Sequence, residues 1–286
     1  MTLPVAAPLL TVARDAGLDL ERLLRGSDDE LRPTEVAQPA LMFVESMLSS
    51  ALPSDLPVVA VAGHSVGEYA ACAAAGALTP EDSMRLVIAR GRAMAAMSEG
   101  TMCAVIGLNE LAAAEVCAAA ATESGEVVVV ANINAPEQVV ISGTRTGVET
   151  AARIARERGA RRVIELNVSG AFHSPLMEKA AAGFGGVLDT ADITDARIPV
   201  VCNVDAAPVT AAAELRTRLR SQLTSAVRWT DCVRRLVDRG VDVLIEVGPG
   251  RVLTGLARRI APDVRALSVS SEADTNRLSE MVGSAR

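Results

Sequence analysis

The stretch Gly63-His64-Ser65-Val66-Gly67 decides the fold, because it places a serine between two glycines where one sequence pattern changes into another. Residues 57–62 before it are apolar and rich in valine, which predicts a strand. Residues 68–75 after it are rich in alanine, which predicts a helix. A Gly-x-Ser-x-Gly motif between a strand and a helix is typical of a nucleophile elbow, a sharp turn that exposes the serine hydroxyl above a sheet. We therefore predict that Ser65 is a nucleophile; a purely structural turn is the alternative.

The composition favours helices packed on a buried sheet. Half of the 286 residues are hydrophobic, but only 2% are aromatic, so the core must consist mainly of small aliphatic side chains. Such side chains suit an α/β fold with a sheet covered by helices. The length suits one large domain, or one domain that carries an insertion.

Charge and cysteine content exclude several functional classes. The net charge of −7 argues against nucleic-acid binding. The sequence contains no apolar run of membrane-spanning length and no basic signal-peptide region, so we expect no membrane partner. The five cysteines are scattered, without Cys-x-x-Cys pairs, which predicts free thiols, a cytoplasmic location and no metal site. No dinucleotide fingerprint is supported, and we expect no cofactor.

Strands and helices alternate along most of the chain, which predicts a mostly parallel sheet with helices on both faces. The predicted strands cover residues 57–62, 200–204, 241–247 and 264–269. The predicted helices cover residues 5–25, 34–50, 80–98, 175–188, 211–223, 229–239 and 251–261, with a tail helix at the end.

Residues 101–168 follow a different pattern. The order of predicted elements there is β-α-β-β-α-β, which is the order of a ferredoxin-like unit. We therefore expect a ferredoxin-like subdomain at 101–168, inserted into a discontinuous α/β catalytic domain formed by residues 1–100 and 169–286.

A serine nucleophile needs a base, and the chain contains only two histidines. Neighbouring side chains diverge at an elbow, so His64 is expected to pack under the turn. His173 lies where a strand returns from the insertion and a helix begins, and we predict that it is the base. No acid occupies the position between serine and histidine that an α/β-hydrolase uses, so a dyad oriented by a neutral acceptor fits better.

Arg90 lies in the apolar segment Leu86-Val87-Ile88-Ala89-Arg90. A guanidinium in such surroundings needs an anion, which is either a protein carboxylate or a substrate carboxylate. The sequence pattern alone leaves both alternatives open.

Taken together, these motifs resemble those of the malonyl-CoA:acyl carrier protein transacylases, the acyltransferase fold of fatty acid and polyketide synthesis. The resemblance runs in order along nearly the whole chain. It rests on Gly63-His64-Ser65-Val66-Gly67-Glu68, Arg90 in Ala-Arg-Gly, Gly170-Ala171-Phe172-His173, Gln222 before Val227-Arg228-Trp229, and Glu246-Val247-Gly248-Pro249-Gly250.

The resemblance implies a cytoplasmic enzyme with malonyl-CoA and an acyl carrier protein as its partners. Ser65 would attack the thioester, and His173 would take and return the proton. A backbone carbonyl orients the histidine in this family, and Gln222 is the matching position. Arg90 would bind the malonyl carboxylate, and Phe172 matches malonyl-selective members. The phosphopantetheine thiol of the carrier would then accept the acyl group.

The resemblance departs from the family at the N-terminus. Family members begin with an apolar strand and a Gly-Gln-Gly-Ser-Gln loop, whose glutamine N–H is half of the oxyanion hole. The other half is the N–H of the residue after the serine, here Val66. This sequence begins in a helical pattern, so we expect an exposed sheet edge and a missing oxyanion donor. A misplaced start codon, a truncated chain and a weakly active paralogue are the alternative explanations. A serine thioesterase or hydrolase and a non-catalytic paralogue remain alternatives for function.

Overall fold

The structure is a computed structural model that describes residues 4–283. Its strands are β1 (Val61–Ala62), β2 (Thr101–Ile106), β3 (Val128–Ala135), β4 (Gln138–Gly143), β5 (Arg162–Glu165), β6 (Val200–Val201), β7 (Pro208–Val209), β8 (Val243–Val247) and β9 (Arg265–Val269). Its α-helices are α1 (Ala6–Asp15), α2 (Leu20–Leu23), α3 (Asp28–Leu31), α4 (Thr34–Ser50), α5 (Gly67–Ala74), α6 (Pro80–Ala95), α7 (Glu110–Ser124), α8 (Arg145–Glu157), α9 (Glu178–Thr190), α10 (Ala212–Ser221), α11 (Trp229–Asp238), α12 (Val252–Ile260) and α13 (Glu272–Gly283). Two 3-10 turns cover Pro175–Met177 and Gln222–Thr224.

The helices begin and end where the sequence supplies caps. Helix α6 begins at Pro80, where the Thr79 side chain accepts a hydrogen bond from the Asp82 N–H. Helix α4 has the predicted bounds. The single helix predicted over residues 5–25 is wrong, because Gly17 adopts a φ of 77° and separates α1 from α2. These helices pack around α5 and contribute to the largest buried cluster among the described residues.

The strands form three small sheets of mixed direction. Strands β1 and β6 pair in parallel, with β7 antiparallel on β6, and β8 and β9 form a separate parallel pair. The single parallel sheet expected from the sequence is therefore present only as two parallel pairs. Together the elements make a mixed α/β fold.

The predicted strand over residues 57–62 is shorter than expected. Only Val61 and Ala62 pair with β6, and Pro199, next to the paired residue Val200, has no N–H with which to extend the ladder. Residues 57–60 instead line a groove of about 540 Å³, whose opposite wall includes β8. Val58 and Val59 are 41% and 46% exposed on this side of the molecule.

Strands β2 to β5 form an antiparallel sheet with the order β3-β4-β2-β5. Helices α7 and α8 pack against it, and the side chains between them form a buried cluster of their own, which includes Val105, Ile141 and Ala151. The structure thus places the elements of residues 101–165 in one sheet with two helices.

All five cysteines are buried free thiols: Cys72, Cys103, Cys117, Cys202 and Cys232. Within residues 4–283, no helix is long and apolar enough to cross a membrane. The same residues contain no group of three or more histidine, cysteine, aspartate or glutamate side chains placed to hold a metal ion.

Candidate active site

The elbow holds Ser65 in a conformation that few residues adopt. Its φ is 51°, in the left-handed region. Two hydrogen bonds hold the turn. The Ser65 N–H donates to Asn203 Oδ1 at 2.7 Å, and Asn203 Nδ2 donates to the Gly63 carbonyl at 2.7 Å. A Cβ at position 63 would lie 1.9 Å from the Gly67 carbonyl oxygen, so the turn requires glycine there.

Ser65 and His173 lie within hydrogen-bond distance of each other. The distance from Ser65 Oγ to His173 Nε2 is 2.8 Å, and His173 Nδ1 lies 2.9 Å from the carbonyl oxygen of Gln222. A carbonyl can only accept, so the proton of neutral His173 lies on Nδ1, and Nε2 is free to accept the Ser65 hydroxyl proton. Burial, and secondarily the positive charge of Arg90, lower the pKa of His173 to about 3. The imidazole is therefore neutral at physiological pH, as a base must be.

Arg90 lies beside the same hydroxyl and is 1% exposed. Its guanidinium donates to Ser65 Oγ at 3.0 Å, to Gln222 Oε1 at 3.0 Å and to Gln38 Oε1 at 2.5 Å. Each of these acceptors is a neutral oxygen, and the buried Nε–H has no hydrogen-bond partner. Within the described residues, then, no carboxylate hydrogen-bonds the guanidinium directly, and its Nη2 faces the Ser65 hydroxyl.

The remaining predicted residues surround this centre. The Val66 N–H, at the start of α5, donates to no protein acceptor in the described part of the chain. Phe172 is half-buried and packs between two apolar clusters beside His173. His64 is turned away from the hydroxyl: its ring packs edge-on against Trp229 at 5.4 Å, and Nε2 lies 2.8 Å from Asn134 Oδ1.

Sequence reasoning did not identify four polar residues of this site: Gln38, Glu68, Asn134 and Asn203. Glu68 and Asn203 each offered a weak signal. Glu68 follows the elbow glycine in the first turn of a helix. Asn203 is a polar residue within the strand predicted over 200–204, and in the structure it follows the carboxyl end of β6, where polar side chains gather in α/β folds.

Comparison with known proteins gives the family. The family described as "Acyl transferase domain" matches residues 10–272. The chain is 42% identical over 252 residues to the malonyl CoA-acyl carrier protein transacylase of Bacillus subtilis, covering 87% of this chain and 79% of that protein. It is 41% identical to the Haemophilus influenzae protein of the same name, covering 98% and 91%.

Solved structures of malonyl transferases are also similar to this chain. The acyl-carrier-protein S-malonyltransferase of Burkholderia pseudomallei superposes with a TM-score of 0.91 at 37% identity, covering 97% of this chain and 92% of that one. A malonyl-transacylase solved in complex with its type II polyketide synthase acyl-carrier protein superposes with a TM-score of 0.91 at 34% identity, covering 97% and 91%. The chain belongs to the acyl transferase family and, within it, to the malonyl CoA-acyl carrier protein transacylases.

Proposed function

We propose that this chain moves a malonyl group from coenzyme A to the phosphopantetheine thiol of an acyl carrier protein, in fatty acid or polyketide synthesis. The observation that carries the proposal is the position of Ser65 Oγ, within hydrogen-bond distance of both His173 Nε2 and the Arg90 guanidinium. One contact activates a nucleophile, and the other offers a cation to an acidic acyl group.

In the first half-reaction, Ser65 Oγ attacks the thioester carbonyl of malonyl-CoA while His173 Nε2 takes the hydroxyl proton. The Val66 N–H is free to stabilise the oxyanion that forms on the carbonyl oxygen. The intermediate then expels the coenzyme A thiolate, which receives the proton from His173. The products are a malonyl ester on Ser65 and free coenzyme A.

The second half-reaction reverses these steps with a new thiol. His173 removes the proton of the phosphopantetheine thiol, which attacks the malonyl ester. Ser65 leaves with the proton that His173 returns, and the malonyl thioester of the carrier is released. Throughout, the Gln222 carbonyl keeps the Nδ1–H of His173 in place, so the same nitrogen exchanges protons in both halves.

Arg90 is assigned to the malonyl carboxylate. Binding it would give the guanidinium a directly hydrogen-bonded anion, which no described residue supplies, and the carboxylate of a malonyl ester on Ser65 lies only a few bonds from the ester oxygen. Phe172, next to the base, is assigned to the wall that limits the size of the acyl group.

We also propose that the chain has two structural units: a discontinuous α/β domain (1–100 and 169–286) and an inserted ferredoxin-like subdomain (101–168). The separate buried cluster and the β3-β4-β2-β5 order support the insertion. The two parallel pairs, which line opposite walls of one groove, are consistent with a mostly parallel sheet interrupted at that groove.

Intact-mass measurement tests the function. We expect incubation with malonyl-CoA to add one malonyl group to the protein, and the adduct to be absent in Ser65→Ala. Addition of an acyl carrier protein carrying its phosphopantetheine arm should transfer the group to the carrier. Free malonate released at the same rate with and without the carrier would instead indicate a hydrolase, and no adduct at all would contradict both.

A further inference from the structure

Glu68 is a buried carboxyl that the reaction described above leaves unused. It lies in the first turn of α5, directly after the elbow, and is 1% exposed. In the described part of the chain its side chain contacts backbone and amide N–H donors rather than a lysine or arginine. A buried carboxylate is costly unless its oxygens are fully hydrogen-bonded, so these contacts explain how it is accommodated.

One of the donors is the side chain of Gln222. Its Nε2 donates to Glu68 Oε2 and, at 2.9 Å, to the Ser65 carbonyl, while its Oε1 accepts from Arg90 at 3.0 Å. A carboxylate can only accept and a guanidinium can only donate, so the Gln222 amide has a single orientation that satisfies both neighbours. The amide thus links a buried negative group to a buried positive one.

The same residue orients the base. The backbone carbonyl of Gln222 accepts from His173 Nδ1 at 2.9 Å. Because the Gln222 side chain is held at three points, its main chain has little freedom to turn this carbonyl away from the imidazole. Release of the amide from Glu68 removes one of those points and loosens the carbonyl as well.

We propose that Glu68 is a positioning residue of the acyl-transfer site: its carboxylate holds the Gln222 amide against Arg90 and thereby fixes the carbonyl that orients His173. The proposal deepens the function proposed above and rests on it for the kinetic prediction.

A second contact joins Glu68 to the elbow itself. Both carboxylate oxygens lie 3.4 Å from the backbone N–H of Asn203, the residue whose side chain clamps Ser65 and Gly63. Burial raises the pKa of Glu68 to about 7, while the Gln222 and Asn203 donors and Arg90 oppose the shift. Above that pH the carboxyl is mainly ionised, and both of its oxygens then act only as acceptors.

Glu68→Gln is the variant that tests the role. Glutamine has the same shape, but one carboxylate oxygen becomes an NH₂ group that faces another N–H donor. We expect kcat for malonyl transfer to fall about 10- to 100-fold, with little change in KM, because the base is misplaced rather than the substrate site lost.

Glu246→Gln is the matched control. Glu246 also accepts from two backbone N–H groups, those of Leu253 and Thr254 at 2.9 and 2.7 Å, but it does so at the start of α12 and makes no hydrogen bond to Ser65, His173, Arg90 or Gln222. We expect this variant to lower the melting temperature without changing kcat.

Imidazole ¹⁵N NMR at pH 8 reads the position of the base without any substrate. The chain has only two histidines, so His64→Ala assigns the signals of His173. We expect His173 to be the Nδ1–H tautomer in the wild type and in Glu246→Gln, and a mixture of tautomers in Glu68→Gln. If the wild type forms no malonyl adduct but these spectra still differ, the proposed function fails and the positioning role stands.

A double-mutant cycle tests whether Glu68 acts on His173 through the Gln222 amide. Gln222→Ala removes the amide but keeps the backbone carbonyl, so Glu68→Gln should change kcat less than about twofold in that background. Unchanged His173 spectra in Glu68→Gln, or effects of the two substitutions that simply multiply, would overturn the proposal.

Discussion

Ser65 Oγ lies between two groups with different tasks, His173 Nε2 at 2.8 Å and the Arg90 guanidinium at 3.0 Å. Among the described residues, His173 Nδ1 faces the Gln222 carbonyl and no carboxylate. A neutral acceptor fixes the tautomer but adds no negative charge to stabilise an imidazolium. If His173 is the base, as proposed above, this arrangement favours a short-lived imidazolium, which suits a reaction that returns the proton within the same half-reaction.

Arg90 gives the prediction at the scale of a single residue. Arg90→Ala removes the cation that we assign to the malonyl carboxylate, so malonyl transfer should fall by about 10- to 100-fold, the value of a hydrogen-bonded charge. Acetyl transfer, which has no carboxylate to bind, should be affected much less. The ratio of kcat/KM for malonyl-CoA to that for acetyl-CoA checks this, because the ratio cancels any loss of folded protein.

An unchanged malonyl-to-acetyl ratio would mean that Arg90 serves only to hold Gln38 and Gln222 in place. Arg92 is a suitable control. It lies two residues along α6, is exposed, and donates to the carbonyl of Ala16 rather than to the site. Arg92→Ala should leave the ratio as it is in the wild type.

At the scale of the element, the turn between β1 and α5 depends on one glycine more than on the other. A Cβ at Gly63 would lie 1.9 Å from a backbone oxygen, whereas a Cβ at Gly67 meets only the end of the Glu45 side chain, at 3.9 Å. We expect Gly63→Ala to destabilise the protein by about 3 kcal/mol or more and to abolish activity, since the backbone must shift.

Gly67→Ala is the paired control for this element, and we expect it to change the free energy of unfolding by less than about 1 kcal/mol. Urea unfolding of the two variants measures the difference. Equal losses would show that the motif needs glycine for a reason other than space at position 63.

The turn between β1 and α5 could be predicted from the sequence, but the length of the strand before it could not, for a physical reason. The glycines around Ser65 and the Thr79-Pro80 cap of α6 are local signals, and the structure has the turn and the cap in those places. The strand over residues 57–62 is not local, because a strand needs a partner. Pro199 and the groove beside it, far away in sequence, leave only Val61 and Ala62 paired.

The site residues that the sequence predicted differ from those it did not in how rare their side chains are. Ser65 and His173 carry rare chemistry in a chain with two histidines, so each stood out. Gln38, Glu68 and Asn203 act through hydrogen bonds to other residues of the site, across separations in sequence of up to 154 residues. Amide and carboxyl side chains are common, and only the folded chain shows which of them converge.

At the scale of the whole molecule, the buried cysteines are divided among separate apolar clusters. The cluster of residues 101–168 contains Cys103 and Cys117, while Cys72, Cys202 and Cys232 lie in the clusters of the remaining chain. Burial raises the pKa of each of these thiols. Since the thiolate is the reactive form, all five should be inert in the closed protein.

Because the thiols are buried in different clusters, the rate at which each one becomes accessible to a reagent reports the opening of its own cluster. In mild denaturant, a maleimide can modify a thiol only while the surrounding packing is open, so peptide mass spectrometry would time each opening event separately. Cys103 and Cys117 should be modified at the same rate, and this rate should differ from the rates of the other three cysteines. Equal modification rates for all five would mean that the chain unfolds in one cooperative step and that the proposed inserted subdomain does not open separately.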